Sequence, residues 1–372
     1  MERARLSPAI AVAVLLAGCS AGKPQAEQPT APPAEADPPT ATASAPRAPE
    51  APAEEPLYRR TRQMMGTIIA ITVVGAPDER AAPAVKAAFD EMTRLEAVLS
   101  EWRPDSEISR INATAGKGPV KVSADTMEVV RAGIEISRWS EGAFDLSWAA
   151  LRGMYTFQPG EQKVPALDDV KKRLPLIDYR QIHIDEQAQT VELRRDGMLI
   201  GTGGIAKGHA LDRAAAILRE AGLDRFMLFG GGQVQVSGQR KGRGWRVGIQ
   251  HPRRPDYFGF IEATAGSIST SGDYEHAFEK DGKRWHHIID LATGLPVEHT
   301  SSVTVLADSG LYADALSTAV FVMGSEKAMA RLASAPGNPR VVIVDADLKL
   351  HSSPELAEQL VMRTVLTDGR LP

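Results

Sequence analysis

The chain has 372 residues, a formal net charge of −4 and a single cysteine. That charge gives no reason to expect a nucleic-acid partner. One cysteine excludes both an internal disulfide and a cysteine-rich zinc site, so the protein must depend on a large hydrophobic core, for which it is long enough.

The N-terminal residues predict an export signal. Arg3 and Arg5 precede a short apolar run that ends at Ala17, and a glycine and Cys19 follow. A basic start, an apolar stretch too short to span a bilayer and small residues before a cysteine are typical of a bacterial lipoprotein signal. We therefore predict that residues 1–18 are removed and that Cys19 is acylated, for example with palmitate. An ordinary signal peptide with an incidental cysteine is the alternative.

Such an anchor would place the protein on a bacterial membrane facing the periplasm, with inner and outer membrane both open. Residues 19–57 are rich in Ala, Pro, Glu and Thr and contain almost no large apolar side chain. A segment of this composition cannot bury enough surface to offset its ordering entropy, which predicts a disordered linker. We expect order from Tyr58, so that residues 58–372 form the folded domain.

Helical and strand-like patterns are mixed along this domain. Apolar residues at helical spacing predict helices at 81–99, 125–140, 205–220 and 312–323. Strand-like runs predict β-strands at 65–74, 182–184, 190–193, 226–229, 234–237, 245–249, 260–264, 302–307 and 340–344. The run of strands in the middle favours a mixed α+β architecture over strict βαβ alternation.

The glycine-rich segment from Gly201 to Gly208 is the first candidate site. It follows an extended stretch and opens the predicted helix 205–220. Free N–H groups at a helix start attract anions, and glycines let the backbone approach a phosphate closely. Lys207 adds a positive charge. The glycine spacing also matches a loose dinucleotide-binding fingerprint, while a tight turn whose glycines serve packing also explains the segment.

Asp314 and Thr318 form the second candidate site. They lie four residues apart in the predicted helix 312–323 and therefore share a face. A carboxylate and a hydroxyl one turn apart suit a hard cation such as Mg²⁺, which also binds water and substrate phosphate. The structural alternative is that Thr318 bonds back to the carbonyl of Asp314, which is then merely a first-turn acid.

Two histidines and one tryptophan complete the candidates. His286 and His287 lie on a predicted hairpin at 274–289, with its turn at 280–282. Neighbouring residues on a strand point to opposite faces, so only one of the two can face a site and act there as a general base. Trp102 lies in a polar loop, where its ring could stack on a flat ligand.

The order of these segments along the chain resembles the ApbE family, the FAD:protein FMN transferases. The segments that carry the resemblance are Met65-Gly66-Thr67, Asp105 to Asn112, Gly142 to Asp145, Gly203 to Gly208, Ser269 to Glu275, His287 to Asp290 and Ala313 to Thr318. The resemblance runs from about Arg62 to the C-terminal strands. Its specific parts are the glycine–lysine segment and the Asp314 helix.

The resemblance implies a mixed helix and strand flavin-transferase domain of the α+β class, related to the T-fold, over residues 58–372. It implies an enzyme that takes FAD as a substrate and uses Mg²⁺. Such an enzyme moves FMN, through its phosphate, onto a threonine of a partner protein and releases AMP. The implied partners are flavoprotein subunits of sodium-pumping NADH:quinone reductase or of Rnf-type complexes.

The resemblance also assigns site residues. The FAD site would comprise Met65, Trp102, Ala143, Phe144, Asp145, Gly201, Lys207 and Ile288. The metal would be held by the carbonyl of Gly204 together with Asp314 and Thr318. Lys207 would neutralise charge that develops on the leaving AMP. His287, beside Ile288, is our candidate for the base that takes the proton from the acceptor threonine.

The sequence departs from the family pattern at three places. The family usually has an aspartate at position 201, where this chain has Gly201. Loss of one charge-assisted hydrogen bond would weaken FAD binding by roughly 1.5–3 kcal/mol. The other two changes are mild: Asp290 to Gly294 lacks the usual proline, and Gln233 replaces an asparagine.

Three other functions are compatible with parts of the sequence. An FAD pyrophosphatase would use water in place of the threonine and release FMN and AMP. A flavin-binding lipoprotein without catalysis is allowed by the missing carboxylate at Gly201. An NAD(P) dehydrogenase fits the glycine spacing, but export and the later strands argue against it.

Overall fold

The computed structural model describes residues 55–372. Pro56–Pro372 form a compact unit, and the first strand begins at Leu57, directly before the predicted start of order. The predicted signal at 1–18, the acylated Cys19 and nearly all of the predicted linker lie outside the described residues. In the described part of the chain, no helix combines the length and hydrophobicity needed to cross a membrane.

The described chain alternates irregularly between helices and strands. The helices are α1 (Asp78–Leu99), α2 (Glu107–Ala113), α3 (Ala124–Trp139), α4 (Leu167–Arg173), α5 (Ala206–Glu220), α6 (Gly310–Arg331) and α7 (Pro354–Ala357). The strands are β1 (Leu57–Met64), β2 (Thr67–Val74), β3 (Val120–Lys121), β4 (Ile182–Asp185), β5 (Thr190–Leu193), β6 (Phe226–Gly230), β7 (Gln233–Ser237), β8 (Trp245–Gln250), β9 (Tyr257–Ala263), β10 (Ala265–Gly272), β11 (Ala277–Lys280), β12 (Lys283–His286), β13 (Ile289–Asp290), β14 (Leu295–Pro296), β15 (Thr300–Ala307), β16 (Arg340–Asp345), β17 (Leu350–Ser352) and β18 (Leu360–Met362).

The largest sheet has eight strands in the order β1-β2-β6-β7-β10-β15-β16-β17. Every neighbouring pair in it is antiparallel. A separate sheet of three strands has the order β18-β9-β8. Helices beside a large antiparallel sheet, without βαβ alternation, confirm the predicted α+β class.

The two faces of the large sheet bury different partners. Along β16, Val341 and Ile343 belong to the larger apolar core, whereas Val342 and Val344 belong to a second one. This alternation follows from the period of two in a strand. The larger core includes the helices, where α6 packs on β10 and β15, and α5 packs on α1 and α6. The second core lies between the sheet and strands β8 and β9.

The predicted strand at 65–74 is wrong at its start. Met65 and Gly66 both have positive φ, at 51° and 71°, and they form the turn between β1 and β2. Strand β1 was not predicted because only Tyr58 and Met64 of its residues are buried, so no apolar alternation marks it. The basic side chains before Met65 belong to this strand at the edge of the sheet.

Other predicted elements differ mainly at their ends. The hairpin predicted at 274–289 is present as β11 and β12, with Asp281 and Gly282 between them. The predicted helix 312–323 begins earlier, at Gly310, and continues to Arg331 across a break at Gly324, where φ is 76° and ψ is 168°. The central strand β10 was not predicted, because small and polar residues fill it.

Candidate functional site

The first turns of α5 and α6 meet at the glycine-rich segment. A Cβ atom added to Gly208 would lie 2.0 Å from the carbonyl oxygen of Gly310. The two helices can therefore pack this closely only because residue 208 has no side chain. The amide of Gly208 donates a hydrogen bond of 3.1 Å to Oδ2 of Asp314. Gly208 therefore serves helix packing, and that packing brings the carboxylate of Asp314 to the start of α5.

Asp212 on α5 fixes the start of α6, and it was missed in the sequence. Its Oδ1 accepts the amide of Gly310 at 2.8 Å, and its Oδ2 accepts the amide of Leu311 at 3.0 Å and the hydroxyl of Ser309 at 2.7 Å. Ser309 has the residue type of an N-cap, but its own side chain makes no capping bond. A carboxylate from another helix does this instead, and it complements the positive end of the α6 dipole.

Asp314 is a buried carboxyl group without an ion pair among the described residues. It is 6% exposed, and its one side-chain hydrogen bond comes from Gly208. Burial raises the pKa of Asp314, while the charge of Lys207 and the amide of Gly208 oppose this rise. A charged carboxylate at such a position is costly unless a cation joins it.

Thr318 has a hydroxyl that is free to act as a ligand. Within residues 55–372 it is Ser317, not Thr318, whose hydroxyl bonds back to the carbonyl of Asp314, at 2.8 Å. The Thr318 hydroxyl has no hydrogen-bond partner in that part of the chain. Its Oγ1 lies 3.7 Å from a Cβ placed on Gly204. The structure thus brings Gly204, Thr318 and Asp314 together around the contact of the two helix starts.

This donor set suits one kind of metal. No cluster of three or more His, Cys, Asp or Glu side chains in the described residues is placed to bind a metal ion. The groups assembled here are a carboxylate, a hydroxyl and a backbone segment, which are oxygen donors. Such a set does not suit zinc but fits Mg²⁺, which fills its remaining positions with water and substrate phosphate.

Lys207 carries a positive charge that affects the pKa values of three ionisable groups near the glycine-rich segment. Its Nζ donates a hydrogen bond of 2.8 Å to the carbonyl of Gly203. Burial raises the pKa of Asp314 and of Glu101, and burial lowers the pKa of His287. The Lys207 cation acts on all three groups: it opposes both rises and adds to the lowering.

The two adjacent histidines have different environments, as their opposite directions predict. His286 is 2% exposed. Its Nε2 pairs with the carbonyl of Val297 at 2.8 Å, and its Nδ1 accepts the amide of Ile288 at 3.3 Å. Both ring nitrogens are therefore used within the fold. His286 is a structural residue of the hairpin.

The ring of His287 is exposed to solvent, yet protein surrounds it on most sides. Nδ1 lies 3.0 Å from the carbonyl of Glu275; a carbonyl only accepts, so Nδ1 carries the proton and Nε2 is left with a lone pair. Burial, then the neighbouring His276, lowers the pKa of His287 below its ordinary value of 6.5. A neutral imidazole with a free Nε2 can accept a proton.

The glycine-rich segment does not present the row of free amides that the sequence predicts. The amides of Thr202 and Gly203 donate to Oε2 of Glu101, and the amide of Gly208 donates to Asp314. Ile205 and Ala206 donate to the carbonyl of Thr202. In this stretch of the described chain, the amides of Gly204 and Lys207 are the ones left without a backbone or side-chain acceptor.

The remaining residues assigned to flavin lie around this segment to different degrees. Phe144 is buried, and its ring lies 3.4 Å from a Cβ placed on Gly204. Trp102 is 73% exposed, and the guanidinium of Arg152 lies 5.4 Å from its ring centre. The backbone carbonyl of Glu101 accepts a hydrogen bond of 2.7 Å from the same guanidinium. Phe144 therefore lies beside the middle of the glycine-rich segment, and Trp102 follows Glu101, whose side chain accepts the amides of Thr202 and Gly203.

The two assigned residues on either side of Phe144 are held by local contacts. Ala143 is half-buried beside Phe144. The Asp145 side chain caps backbone: Oδ1 accepts the amide of Ser147 at 2.8 Å, and Oδ2 accepts the amide of Tyr179 at 2.7 Å. Both carboxylate oxygens of Asp145 therefore bind nearby backbone amides.

Met65 and Ile288 are not hydrogen-bonded to the glycine-rich segment. The amide of Met65 donates to Oε1 of Glu96 on α1 at 2.9 Å. Ile288 is buried and is tied to the hairpin through His286. Met65 thus lies in the turn between β1 and β2, and Ile288 lies just after the hairpin that contains His286.

The fold and the site define an α+β protein in which a buried carboxyl group, a free hydroxyl and one lysine meet at a glycine-rich helix start. A profile of the ApbE family matches residues 65–343. The FAD:protein FMN transferase of Treponema pallidum is 34% identical over 304 residues, 75% of this chain and 82% of the relative. The FAD:protein FMN transferase of Vibrio cholerae is 33% identical over 292 residues, 76% of this chain and 86% of the relative.

Solved structures agree with the sequence relatives. The crystal structure of the ApbE protein from Thermotoga maritima has a TM-score of 0.75 at 28% identity and covers 82% of this chain and 99% of that one. The apo form of the flavinyl transferase ApbE from Pseudomonas stutzeri has a TM-score of 0.72 at 28% identity, with 83% and 98% covered. The chain belongs to the ApbE family.

Proposed function

We propose that this protein is an Mg²⁺-dependent FAD:protein FMN transferase, which moves FMN from FAD to a threonine hydroxyl of a target flavoprotein and releases AMP. The observation that carries the proposal is the junction of α5 and α6: Lys207 directly precedes Gly208, whose amide donates a hydrogen bond of 3.1 Å to the buried carboxyl group of Asp314. The names of the relatives support FAD as the substrate and transfer of FMN to a protein as the reaction.

FAD would lie across the glycine-rich segment. The exposed ring of Trp102 is an aromatic surface available to a flavin or an adenine, and the ring of Phe144 supports the segment from beneath Gly204. The amides of Gly204 and Lys207, which have no acceptor among the described residues, would donate hydrogen bonds to a phosphate group. The oxygens of Asp314, Thr318 and Gly204 would hold Mg²⁺, which supplies positive charge to the pyrophosphate when it is bound.

The residues of the chain account for the other requirements of the step. The acceptor threonine oxygen forms a bond to the phosphorus of the FMN half, and the bond from that phosphorus to the AMP oxygen breaks. Nε2 of His287 takes the proton of the threonine hydroxyl as the new bond forms. The ammonium of Lys207 stabilises the negative charge that develops on the leaving AMP.

An FAD pyrophosphatase is the second candidate, and one observation favours it. His287 is an exposed residue, so water as well as a threonine hydroxyl could approach its imidazole. The same base and the same lysine would then release FMN and AMP. A flavin-binding protein without catalysis is less well supported, because Lys207, Asp314 and His287 are all in place.

The target and the location of the protein extend the proposal. The proposed targets are flavoprotein subunits of NADH:quinone reductase or Rnf-type complexes. We propose that the protein meets them at the periplasmic face of a bacterial membrane, anchored by acylated Cys19. The basic residues, the short apolar run and the single cysteine of the N-terminus support this. Replacement of Cys19 by alanine should move the protein from the membrane fraction to the soluble one.

Incubation of the purified protein with FAD, Mg²⁺ and a target flavoprotein domain tests the proposed activity. Flavin fluorescence that stays with the denatured target indicates covalent transfer and supports the proposal. FMN and AMP without a labelled target would establish the pyrophosphatase instead. If FAD remains unchanged, both enzymatic functions are contradicted, and the protein is at most a flavin-binding protein.

A further inference from the structure

A carboxylate from a distant part of the chain occupies the place beside Gly201. Glu101 follows the end of α1 and is 5% exposed. Its Oε2 accepts the amides of Thr202 and Gly203, the latter at 3.2 Å. The hydroxyl of Thr202 donates to the carbonyl of Leu99 at 2.6 Å. The end of α1 and the start of the glycine-rich segment are therefore joined by three hydrogen bonds.

The carboxylate of Glu101 lies in the space that a side chain at position 201 would occupy. A Cβ atom added to Gly201 would be 2.7 Å from Oε2 of Glu101 and 2.8 Å from the ring of Trp148. Trp148 itself donates from Nε1 to the carbonyl of Gly201 at 3.2 Å. With Glu101 in its present position, no residue with a side chain fits at 201 unless its neighbours shift.

An aspartate at 201 would offer its carboxylate to nearby backbone amides. Aspartate side chains commonly accept the amide two residues further on, which here is that of Gly203. In this chain the Gly203 amide is bonded to Glu101. The two arrangements present a carboxylate to the same amide, and a Cβ at position 201 would lie so close to Oε2 of Glu101 that the glutamate side chain would have to shift.

We propose that Glu101 is a positioning residue that replaces, from across the fold, the carboxylate missing at Gly201 and so holds the glycine-rich segment in the form that binds FAD. The departure at Gly201 is then an exchange and not a loss. Fixing Thr202 and Gly203 leaves the amide of Gly204 free and keeps Gly204 beside Thr318. The inference rests on the proposed function only in taking FAD as the ligand.

The test measures FAD affinity in the full chain without Mg²⁺ and without a target protein, by quenching of flavin fluorescence. Glu101→Ala should weaken FAD binding by about 10-fold to 100-fold, because two amides lose a charged acceptor. Glu101→Gln keeps the size and one acceptor oxygen, and it should show a smaller loss in the same direction. It also keeps the test valid if the alanine variant does not fold.

A matched pair isolates the carboxylate from the steric change. Glu101→Ala with Gly201→Asp and Glu101→Ala with Gly201→Ala both carry a new Cβ at 201, and they differ only in the carboxylate. We expect the aspartate variant to bind FAD about 10-fold or more tightly than its alanine counterpart. In the wild-type background, Gly201→Asp should weaken binding, because Glu101 already fills the space.

Two results would overturn the inference. One is an FAD affinity in Glu101→Gln and Glu101→Ala equal to that of the wild type, even if their melting temperatures fall. The other is equal FAD affinity in the matched pair. A wild type that binds FAD but transfers no FMN would contradict the proposed function alone and would leave this comparison intact.

Discussion

The amide of Gly208 donates a hydrogen bond of 3.1 Å to the buried carboxyl group of Asp314, which joins the first turn of α5 to the first turns of α6. The contact requires the first turns of both helices to pack closely together. Gly208 and Gly310 allow the two backbones to approach each other, and Asp212 holds the amide of Gly310. The proposed metal site depends on this junction. Its supports can therefore be tested separately from its ligands.

Asp314→Asn tests the metal ligand. Burial raises the pKa of Asp314, so the ionised carboxyl costs stability once the pH exceeds its unfolded value of 3.8. Asparagine keeps an acceptor for Gly208 and carries no charge. The metal-free variant should therefore melt above the wild type at neutral pH, by on the order of 2 °C, and this advantage should vanish at acidic pH.

The same variant should lose stabilisation by added Mg²⁺ and most of its FMN transfer. Asp168→Asn on the surface of α4 is the control, since its side chain is 86% exposed. Thermal melts with EDTA and with Mg²⁺ measure the effect. An unchanged Mg²⁺ response in Asp314→Asn would rule out this carboxylate as a ligand.

His287→Ala tests the base. General base catalysis contributes about 10²- to 10⁴-fold, so transfer to a target peptide should fall by that factor. Because the pKa of His287 is lowered, the wild-type kcat/KM should stay level as the pH falls to 6.5, the ordinary value. It should decline only in more acidic solution, where the imidazole becomes protonated.

His286→Ala separates the two histidines. His286 bonds the carbonyl of Val297 and the amide of Ile288, so its loss should lower the melting temperature and leave the shape of the pH profile unchanged. If His287→Ala transferred FMN normally at every pH, or if the wild-type profile had an inflection at or above 6.5, the base would have to be another group.

Trp102→Ala tests ring stacking. The side chain is 73% exposed, so its removal should change the free energy of unfolding by less than about 0.5 kcal/mol. Loss of an aromatic stacking partner should weaken FAD binding by roughly 0.5–1.5 kcal/mol. Trp102→Phe should retain most of the affinity. Equal FAD affinity in all three proteins, measured by fluorescence titration, would exclude a stacking role.

Asp212→Ala tests the support of α6. Loss of a capping side chain costs about 0.5–2 kcal/mol, and urea unfolding should show a decrease of that size. Mg²⁺ should also bind less tightly, since Asp314 and Thr318 lie in the first turns of α6. Asp212→Asn should show a smaller effect. A variant as stable as the wild type would mean that α6 starts correctly without this cap.

The local parts of the site were predictable from the sequence. The spacing of Asp314 and Thr318 on a helix, and the place of Lys207 in a glycine-rich helix start, depend only on neighbouring residues. The family pattern added the order of the motifs. Such features can be predicted from the sequence because helix periodicity depends only on a short segment.

The long-range parts were not predictable. Glu101 reaches Thr202 and Gly203 across 101 and 102 positions of the sequence, and Asp212 reaches Gly310 across 98. Nothing local marks either carboxylate as a backbone acceptor.

Strand β10 was hidden for a related reason. The hydroxyls of Ser269 and Ser271 lie 3.4 and 2.8 Å from the hydroxyl of Ser317 on α6. Polar residues therefore occupy the inward-facing positions of this strand, which are usually apolar. Their partner lies on a helix far along the chain, and the strand pattern becomes visible only when that helix is in place.

The most direct test of the central claim compares two products of one reaction. The full chain is incubated with FAD, Mg²⁺ and a target flavoprotein domain, and AMP is quantified beside the target that has gained FMN by mass spectrometry. The transferase predicts equal amounts of AMP and FMN-labelled target, with both lost in Asp314→Asn. AMP released in excess with free FMN and an unlabelled target would contradict it.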